Sequence, residues 1–365
     1  MSVTIDITGL PDERLLFTPS PLGELTAMLD VLAEPAHHPA LHGWASSTAA
    51  TIPPVLSERL LEADFLWRSS RADFLVPGLP GATLAAELDA VDRMDDELYV
   101  AAALVTTCGS SRPARRTPSP LTDPVANERA RELALARGPR QAAFADRLLA
   151  DPPAVRALVR RMLEDCESAF FADAWQRVLP ALAADARRKA DLLARRGPAE
   201  ALAAVSPSVT LDQGADGRRR IVVDKLQDNA TSGTDGGGVT LIPTAFGRPH
   251  LVVVYTPGWR PVLQYPVAET GIPEPVSPAL VQQRLEALAH PVRLRLARTM
   301  ARGAHTTGEL ATAWQLSAPE VSRHLAVLRK AGLLITQRRG RYMLYQLDLP
   351  GSARLGSDFL EALLR

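Results

Sequence analysis

The chain is poor in cysteine, in lysine and in uninterrupted apolar sequence, and each shortage excludes something. Among its 365 residues only Cys108 and Cys166 are cysteine. That is too few for the disulfide framework of a small secreted fold, so a reducing, cytoplasmic setting is expected. Lysine occurs at 189, 225 and 330 alone, within 41 basic residues. So strong an arginine bias, alongside abundant alanine and proline, reflects a GC-rich genome and carries no functional meaning. The longest apolar run, Tyr99 to Val105, falls far short of the ~20 residues that span a bilayer, and no signal peptide opens the chain. No membrane partner is expected.

Catalytic and cofactor signatures are also missing. There is no Gly-x-Ser-x-Gly, no His-Glu-x-x-His and no paired-carboxylate constellation, so the chain does not read as an enzyme. Asn229 to Gly238 is glycine-rich, but it lacks the Gly-Lys-Ser/Thr ending of a phosphate-binding loop and no helix follows it. His37, His38 and His42 crowd a proline-rich loop. No acid or cysteine joins them at ligand spacing, so they read as a structural loop and no metal or other cofactor is expected. Cys108 lies near Arg112, Arg115 and Arg116, which would favour a reactive thiolate. Without a second functional group beside it, the thiol reads as inert.

What is present is an ordinary globular composition, 46% apolar and 22% charged, long enough for two or three domains. The net charge is zero but unevenly spread. Residues 278–365 hold 13 Arg and Lys against 6 Asp and Glu, a balance of +7 that leaves −7 for the rest. Such asymmetry points to nucleic-acid contact by the basic part.

Within that part, Thr306-Thr307-Gly308-Glu309 and Ser317-Ala318-Pro319-Glu320 have the form of two capping boxes about ten residues apart. Leu310, Ala311 and Trp314 give the first helix an apolar face. In the second, Val321, Leu325 and Leu328 share a packed face, leaving Pro319, Ser322, Arg323, Ala326 and Lys330 opposite. That narrow outer face suits a major groove. His324 sits beside the buried stripe and reads first as a packing or capping residue. Gly332 ends the helix. Two β-prone runs, 333–337 and 342–347, flank Arg338-Arg339-Gly340-Arg341, a basic wing suited to phosphate or minor-groove contact. The expected DNA-binding set is therefore Thr307, Ser317, Pro319, Ser322, Arg323, His324, Lys330, Arg338, Arg339, Arg341 and Tyr342.

Leu285 to Leu296, with its Ala-His-Pro-Val-Arg core, together with Glu309-Leu310-Ala311, Ser322 to Leu333 and Tyr345, resembles the ArsR/SmtB family of winged helix-turn-helix transcriptional regulators. The resemblance covers roughly 278–350 and is most specific from Ser322-Arg323-His324-Leu325 to Ala331-Gly332-Leu333. It implies a homodimer on an imperfect inverted repeat of double-stranded DNA, usually a repressor released by an effector. The metal-sensing members carry thiolate ligands in the first helix of the motif. Here 309–314 reads Glu-Leu-Ala-Thr-Ala-Trp, so that chemistry is not carried over.

Upstream, Val3 to Ile7 alternates as a strand and Ser20-Pro21 opens a helix through Leu32. Further helices are expected at 56–70, 81–106, 125–151, 153–165 and 167–195, and an exposed loop between Cys108 and Asp123. Antiparallel strands are expected at 208–212, 218–225, 238–246 and 251–255. Phe17 to Leu22, His38-Pro39 and Leu241 to Phe246 are similar to an uncharacterised domain fused to ArsR-type winged helices in actinobacteria.

The expectation is thus a helix-rich α+β chain. It comprises an N-terminal helix/antiparallel-strand domain over 1–268, a proline-rich linker over 269–277, and a winged helix over 278–365. The function expected is DNA-binding transcriptional regulation, with a recognition helix over 318–331 and control by the N-terminal domain. Either a small organic effector or a partner protein would act on that domain. An effector pocket is expected where its helices meet its late strands, with Trp67, Phe74, Phe170, Phe171 and Trp175 available to line it. A winged helix used only for protein contacts and an enzyme tethered to DNA are the alternatives. Apolar stripes at Leu280, Val281, Leu285 and Leu288, and at Phe359, Leu360, Leu363 and Leu364, are available for dimerisation.

Overall fold

The computed structural model describes residues 2–68, 71–109, 118–214, 217–225, 228–256, 258–267, 276–339 and 342–364. Two compact units emerge, Met1–Pro273 and Glu274–Arg365. The expected linker lies outside the described residues except for Val276 and Ser277. Both units are helix-rich, and the chain is α+β in class.

Among the described residues of the first unit, eight strands form two four-stranded sheets. They are β1 (Ser2–Asp6), β2 (Leu15–Phe17), β3 (Val209–Gln213), β4 (Arg219–Asp224), β5 (Asn229–Ser232), β6 (Val239–Thr244), β7 (Val252–Val254) and β8 (Val262–Pro266). One sheet runs β3–β4–β1–β5 and the other β2–β6–β8–β7. Pairing is mixed, not wholly antiparallel as expected: β1 runs parallel to β5, and β2, β6 and β8 run parallel to one another. After β2 the chain passes through the helices between Pro21 and Ala203 before returning as β6, and so long a crossover permits a parallel neighbour. Every residue of β6 is buried, as in a parallel strand covered on both faces.

Several expected helices are cut where capping chemistry intervenes. Residues 81–106 divide into Leu84–Asp92 and Asp96–Cys108, because the Asp95 side chain accepts from the Glu97 N–H (2.9 Å) and starts a new helix. Gly138, at φ +146°, divides 125–151. Conversely, Pro152–Cys166 runs through a π-helical turn, Glu167–Phe171, into Ala172–Arg196, which keeps Pro180 inside it. The expected loop at 229–238 begins with β5.

The helix Pro21–Ala33 is buried along almost its whole length. Its N-terminus is held by Glu87, whose carboxylate accepts from the Leu22 N–H (2.6 Å), the Ser20 hydroxyl (3.0 Å) and the Gly81 N–H (2.9 Å). Burial pushes the Glu87 carboxyl up to about 7 despite these donors. Two of the lysines are tied down in this unit. Lys189 donates to Asp185, which also accepts from the Tyr265 hydroxyl (2.8 Å), and Lys225 donates to the Leu251 carbonyl.

The aromatics expected to line a pocket fall into separate contacts. Phe74 stacks on Tyr99 (4.6 Å between centroids), while Phe171 stacks on Trp175 (5.7 Å). Of the five, Phe74 alone lines the cavity of about 10 Å³ it shares with Leu22, Tyr99 and Arg156. That is room for about one water. Cys108 is buried, its thiol donates to the Ala130 carbonyl (3.3 Å), and burial raises it to about 11, which favours the inert reading. Arg112, Arg115 and Arg116, and most of the expected loop, lie outside the described residues.

Candidate nucleic-acid interface

The second unit opens with two helices, Pro278–Leu288 and Pro291–Met300. The sequence between them explains itself locally. The His290 Nδ1 accepts from the Val292 N–H (3.2 Å), and Pro291 occupies the first helical position. Arg293 folds back to donate to the Ala287 (2.6 Å) and Glu286 (2.9 Å) carbonyls, closing the end of the preceding helix. Arg293 is thus a structural cap.

The helix Thr307–Trp314 starts from a full capping box. Thr306 Oγ1 accepts from the Glu309 N–H (3.3 Å) and the Glu309 carboxylate accepts from the Thr306 N–H (2.7 Å). At its end Gln315 takes a left-handed φ of 54°, which turns the chain sharply into the next helix, Ala318–Lys330. There the Ser317 hydroxyl accepts from the Glu320 N–H (3.4 Å) and Pro319 falls in the first turn.

Val321, Leu325 and Leu328 of this helix are fully buried against Ala287, Leu296, Met300 and Leu310. Ser317, Pro319, Ser322, Arg323, Ala326 and Lys330 are exposed. Thr307 and His324 are half-buried, and the His324 ring lies 4.9 Å from that of His290. Burial first, then His290, lowers the His324 pKa, so the imidazole is neutral at physiological pH. The expected outer face is thus brought to one exposed surface, with His324 at its margin.

Among the described residues the remaining strands are β9 (His305–Thr306), β10 (Leu334–Arg339) and β11 (Tyr342–Leu347), ordered β10–β11–β9. Register pairs Arg338 with Met343 and Arg339 with Tyr342. Arg338 and Arg339 are therefore strand residues and not turn residues, both exposed, and they project to opposite faces of the hairpin. Arg341 lies outside the described residues, and Tyr342 is placed by its backbone as the first residue of β11.

The first unit contains a polar cluster that sequence reading missed. Glu24, Asp30, His38, Arg71, Thr244 and Gln264 are each at most 2% exposed. Arg71 donates to Gln264 and lies 3.4 Å from Asp30 Oδ2; His38 Nε2 lies 3.4 Å from the same oxygen. His38 Nδ1 faces the Arg248 carbonyl, and the His250 ring packs edge-on at 5.0 Å. Burial raises the Asp30 carboxyl, but His38 and Arg71 outweigh it and hold the group below its ordinary value. Burial pushes Glu24 up to about 7 and His250 down to about 4. His42, the third histidine of the expected loop, is exposed and stands apart from the cluster. Among the described residues no group of three or more His, Cys, Asp or Glu is placed to hold a metal.

Comparison with known proteins divides the chain in the same way. Residues 1–271 match the model of a family of unknown function (DUF5937), and residues 288–337 match a helix-turn-helix domain. The chain is 42% identical to the biofilm growth-associated repressor of Agrobacterium fabrum over 71 residues, which are 20% of this chain and 61% of that protein. It is 44% identical over 61 residues to the arsenic resistance transcriptional regulator ArsR1 of Pseudomonas putida, covering 16% and 48%. It is 40% identical over 73 residues to the HTH-type transcriptional regulator Rv2034 of Mycobacterium tuberculosis, covering 20% and 68%. The chain thus spans about three fifths of the Agrobacterium protein, while about four fifths of its own length has no counterpart in any of the three. It belongs to the DUF5937 family through its first 271 residues, and a helix-turn-helix domain of the ArsR/SmtB type completes its C-terminal unit.

Proposed function

We propose that this protein is a cytoplasmic, DNA-binding transcriptional regulator, acting as a repressor, whose N-terminal unit controls the winged helix. The observation that carries the reading is the two-sidedness of Ala318–Lys330. One side is sealed into the core by Val321, Leu325 and Leu328 while the other presents Pro319, Ser322, Arg323, Ala326 and Lys330 to solvent. A capped helix so arranged enters a major groove with its N-terminal half against base edges. Thr307 and Ser317 lie at helix starts suited to phosphate, and the hairpin arginines 338, 339 and 341 reach the adjacent backbone or minor groove.

A single recognition helix reads few base pairs, so a homodimer on an imperfect inverted repeat brings affinity and specificity into range. The exposed apolar side chains of Leu285, Phe359, Leu360 and Leu363 support that assembly. Control by a small organic effector or a partner requires differential affinity for two arrangements of the dimer. A coupling of about 1–3 kcal/mol changes DNA affinity by a factor of roughly 5–150.

The test is a gel shift of the full-length protein on its own promoter fragment against random DNA of equal length. Selective retardation of the promoter is the expected result. Equal binding to both fragments, or none, removes the reading in favour of a winged helix that contacts proteins.

A further inference from the structure

In the second unit, the cap of Pro291–Met300 meets the helix Ala318–Lys330 at a pair of histidines. The rings of His290 and His324 lie 4.9 Å apart between centroids, with their planes inclined at 45°. His290 is spent on its cap: Nδ1 accepts the Val292 N–H (3.2 Å), so the neutral ring carries its hydrogen on Nε2. A second proton there would displace that bond. His324 makes no such commitment. It is half-buried, between exposed Arg323 and buried Leu325, at the edge of the outward face of its helix.

The charges around His324 are few and unbalanced. Arg293 acts on it from Pro291–Met300, with its own bonds going to the neutral Ala287 and Glu286 carbonyls. Glu320 and Arg323 act on it from its own helix. On the other elements packed against that helix, Arg284 is paired with Asp358, Glu286 is bonded to Gln282 and Glu309 is closed on Thr306. Arg338 and Arg339 lie at the turn end of β10. One carboxylate thus faces two guanidiniums. Together with burial, the larger cause, and with His290, they keep the His324 imidazole neutral in the free protein.

A duplex changes this balance. It carries one negative charge per ~1.7 Å of axis. Phosphates that engage Arg323 offset its repulsion and place anions within a Debye length of about 8 Å. A nearby opposite charge favours the charged imidazole. Resting on the groove assignment of Ala318–Lys330, we propose that His324 takes up a proton from solvent when this unit binds DNA, at a pH set by His290. The protein then holds its operator more tightly as the surroundings acidify. No other bond changes.

The test is fluorescence anisotropy of the full-length protein on its promoter fragment and on random DNA, at fixed ionic strength. Promoter affinity is expected to rise roughly tenfold from about pH 7.5 to about pH 5.5. His324→Gln, which stays polar without titrating, should keep selective binding at the higher pH and lose the rise. His290→Asn retains a cap acceptor and removes the neighbouring imidazole, so it should keep the rise and displace it to higher pH. A flat wild-type profile with selective binding, or the same rise in His324→Gln, overturns the coupling and leaves the regulator reading intact. Absence of selective binding at every pH removes that reading and the coupling with it. If His324→Gln does not fold, calorimetry of wild-type binding in buffers of different ionisation enthalpy decides the matter, and no proton uptake near pH 6.5 overturns the coupling.

Discussion

Arg323 stands alone among the exposed residues of its helix in carrying a planar, bidentate donor at the N-terminal half, the part proposed to face base edges. Arg323→Ala should therefore relax sequence preference, costing about 1–3 kcal/mol on the specific site and little on random DNA. Competition binding on the two DNAs measures this, and unchanged discrimination would place the reading helix elsewhere. Arg339 acts differently. Its loss should weaken binding to all sequences alike and reduce the slope of log affinity against log salt by about one contact. The exposed position of Arg323 was legible from sequence because caps and a 3.6-residue period are local signals. The acid–histidine–arginine cluster was not. Glu24, Asp30, His38, Arg71, His250 and Gln264 are separated by up to 240 positions, and periodicity does not say which polar side chains a distant strand will cover.

Elements were legible to the degree that their ends carry chemistry. The capping box at Thr306 and the Pro-bearing start at Ser317 fixed the helix pair, whereas the long helical stretches expected at 81–106 and 125–151 hid an internal cap and a left-handed glycine. The strand runs were recognisable, yet their parallel pairing depends on the crossover and not on the runs themselves. The start of Pro21–Ala33 offers a test at this scale. Glu87 is bonded there to two backbone N–H groups and a hydroxyl, but burial dominates and raises its carboxyl to about 7. A carboxyl raised above its unfolded value contributes most stability below the unfolded pKa of 4.5 and loses it as pH rises through about 7. Glu87→Gln should remove that loss. Between about pH 5 and about pH 7 the wild type should lose about 2 kcal/mol more unfolding free energy than the variant, as followed by denaturant titration. Equal pH dependence in the two proteins would mean the carboxyl titrates normally.

At the scale of the whole molecule, Leu294, Val327, Ile335, Met343 and Leu349 are apolar side chains left exposed singly along the second unit, while four others fall on its first and last helices. Pro278–Leu288 and Leu355–Leu364 are joined by the Arg284–Asp358 ion pair (2.8 Å), and Leu285, Phe359, Leu360 and Leu363 remain exposed around it. Light scattering should give a dimer mass for the full-length protein at micromolar concentration. Leu363→Glu should shift it toward monomer and lower operator affinity, while a monomeric wild type would end the two-fold reading.

The shortage of lysine has a practical side. Of the three, Lys189 is held by Asp185, Lys225 is bonded to the Leu251 carbonyl, and Lys330 stands exposed at the end of Ala318–Lys330, the helix proposed to enter the groove. An amine-directed dye should consequently mark that helix ahead of every other internal position. Peptide mapping after labelling, with and without operator DNA, would turn Lys330 into a footprint of groove occupancy. Enzymatic acetylation of the same amine would strike the one surface lysine where neutralising a charge bears directly on DNA.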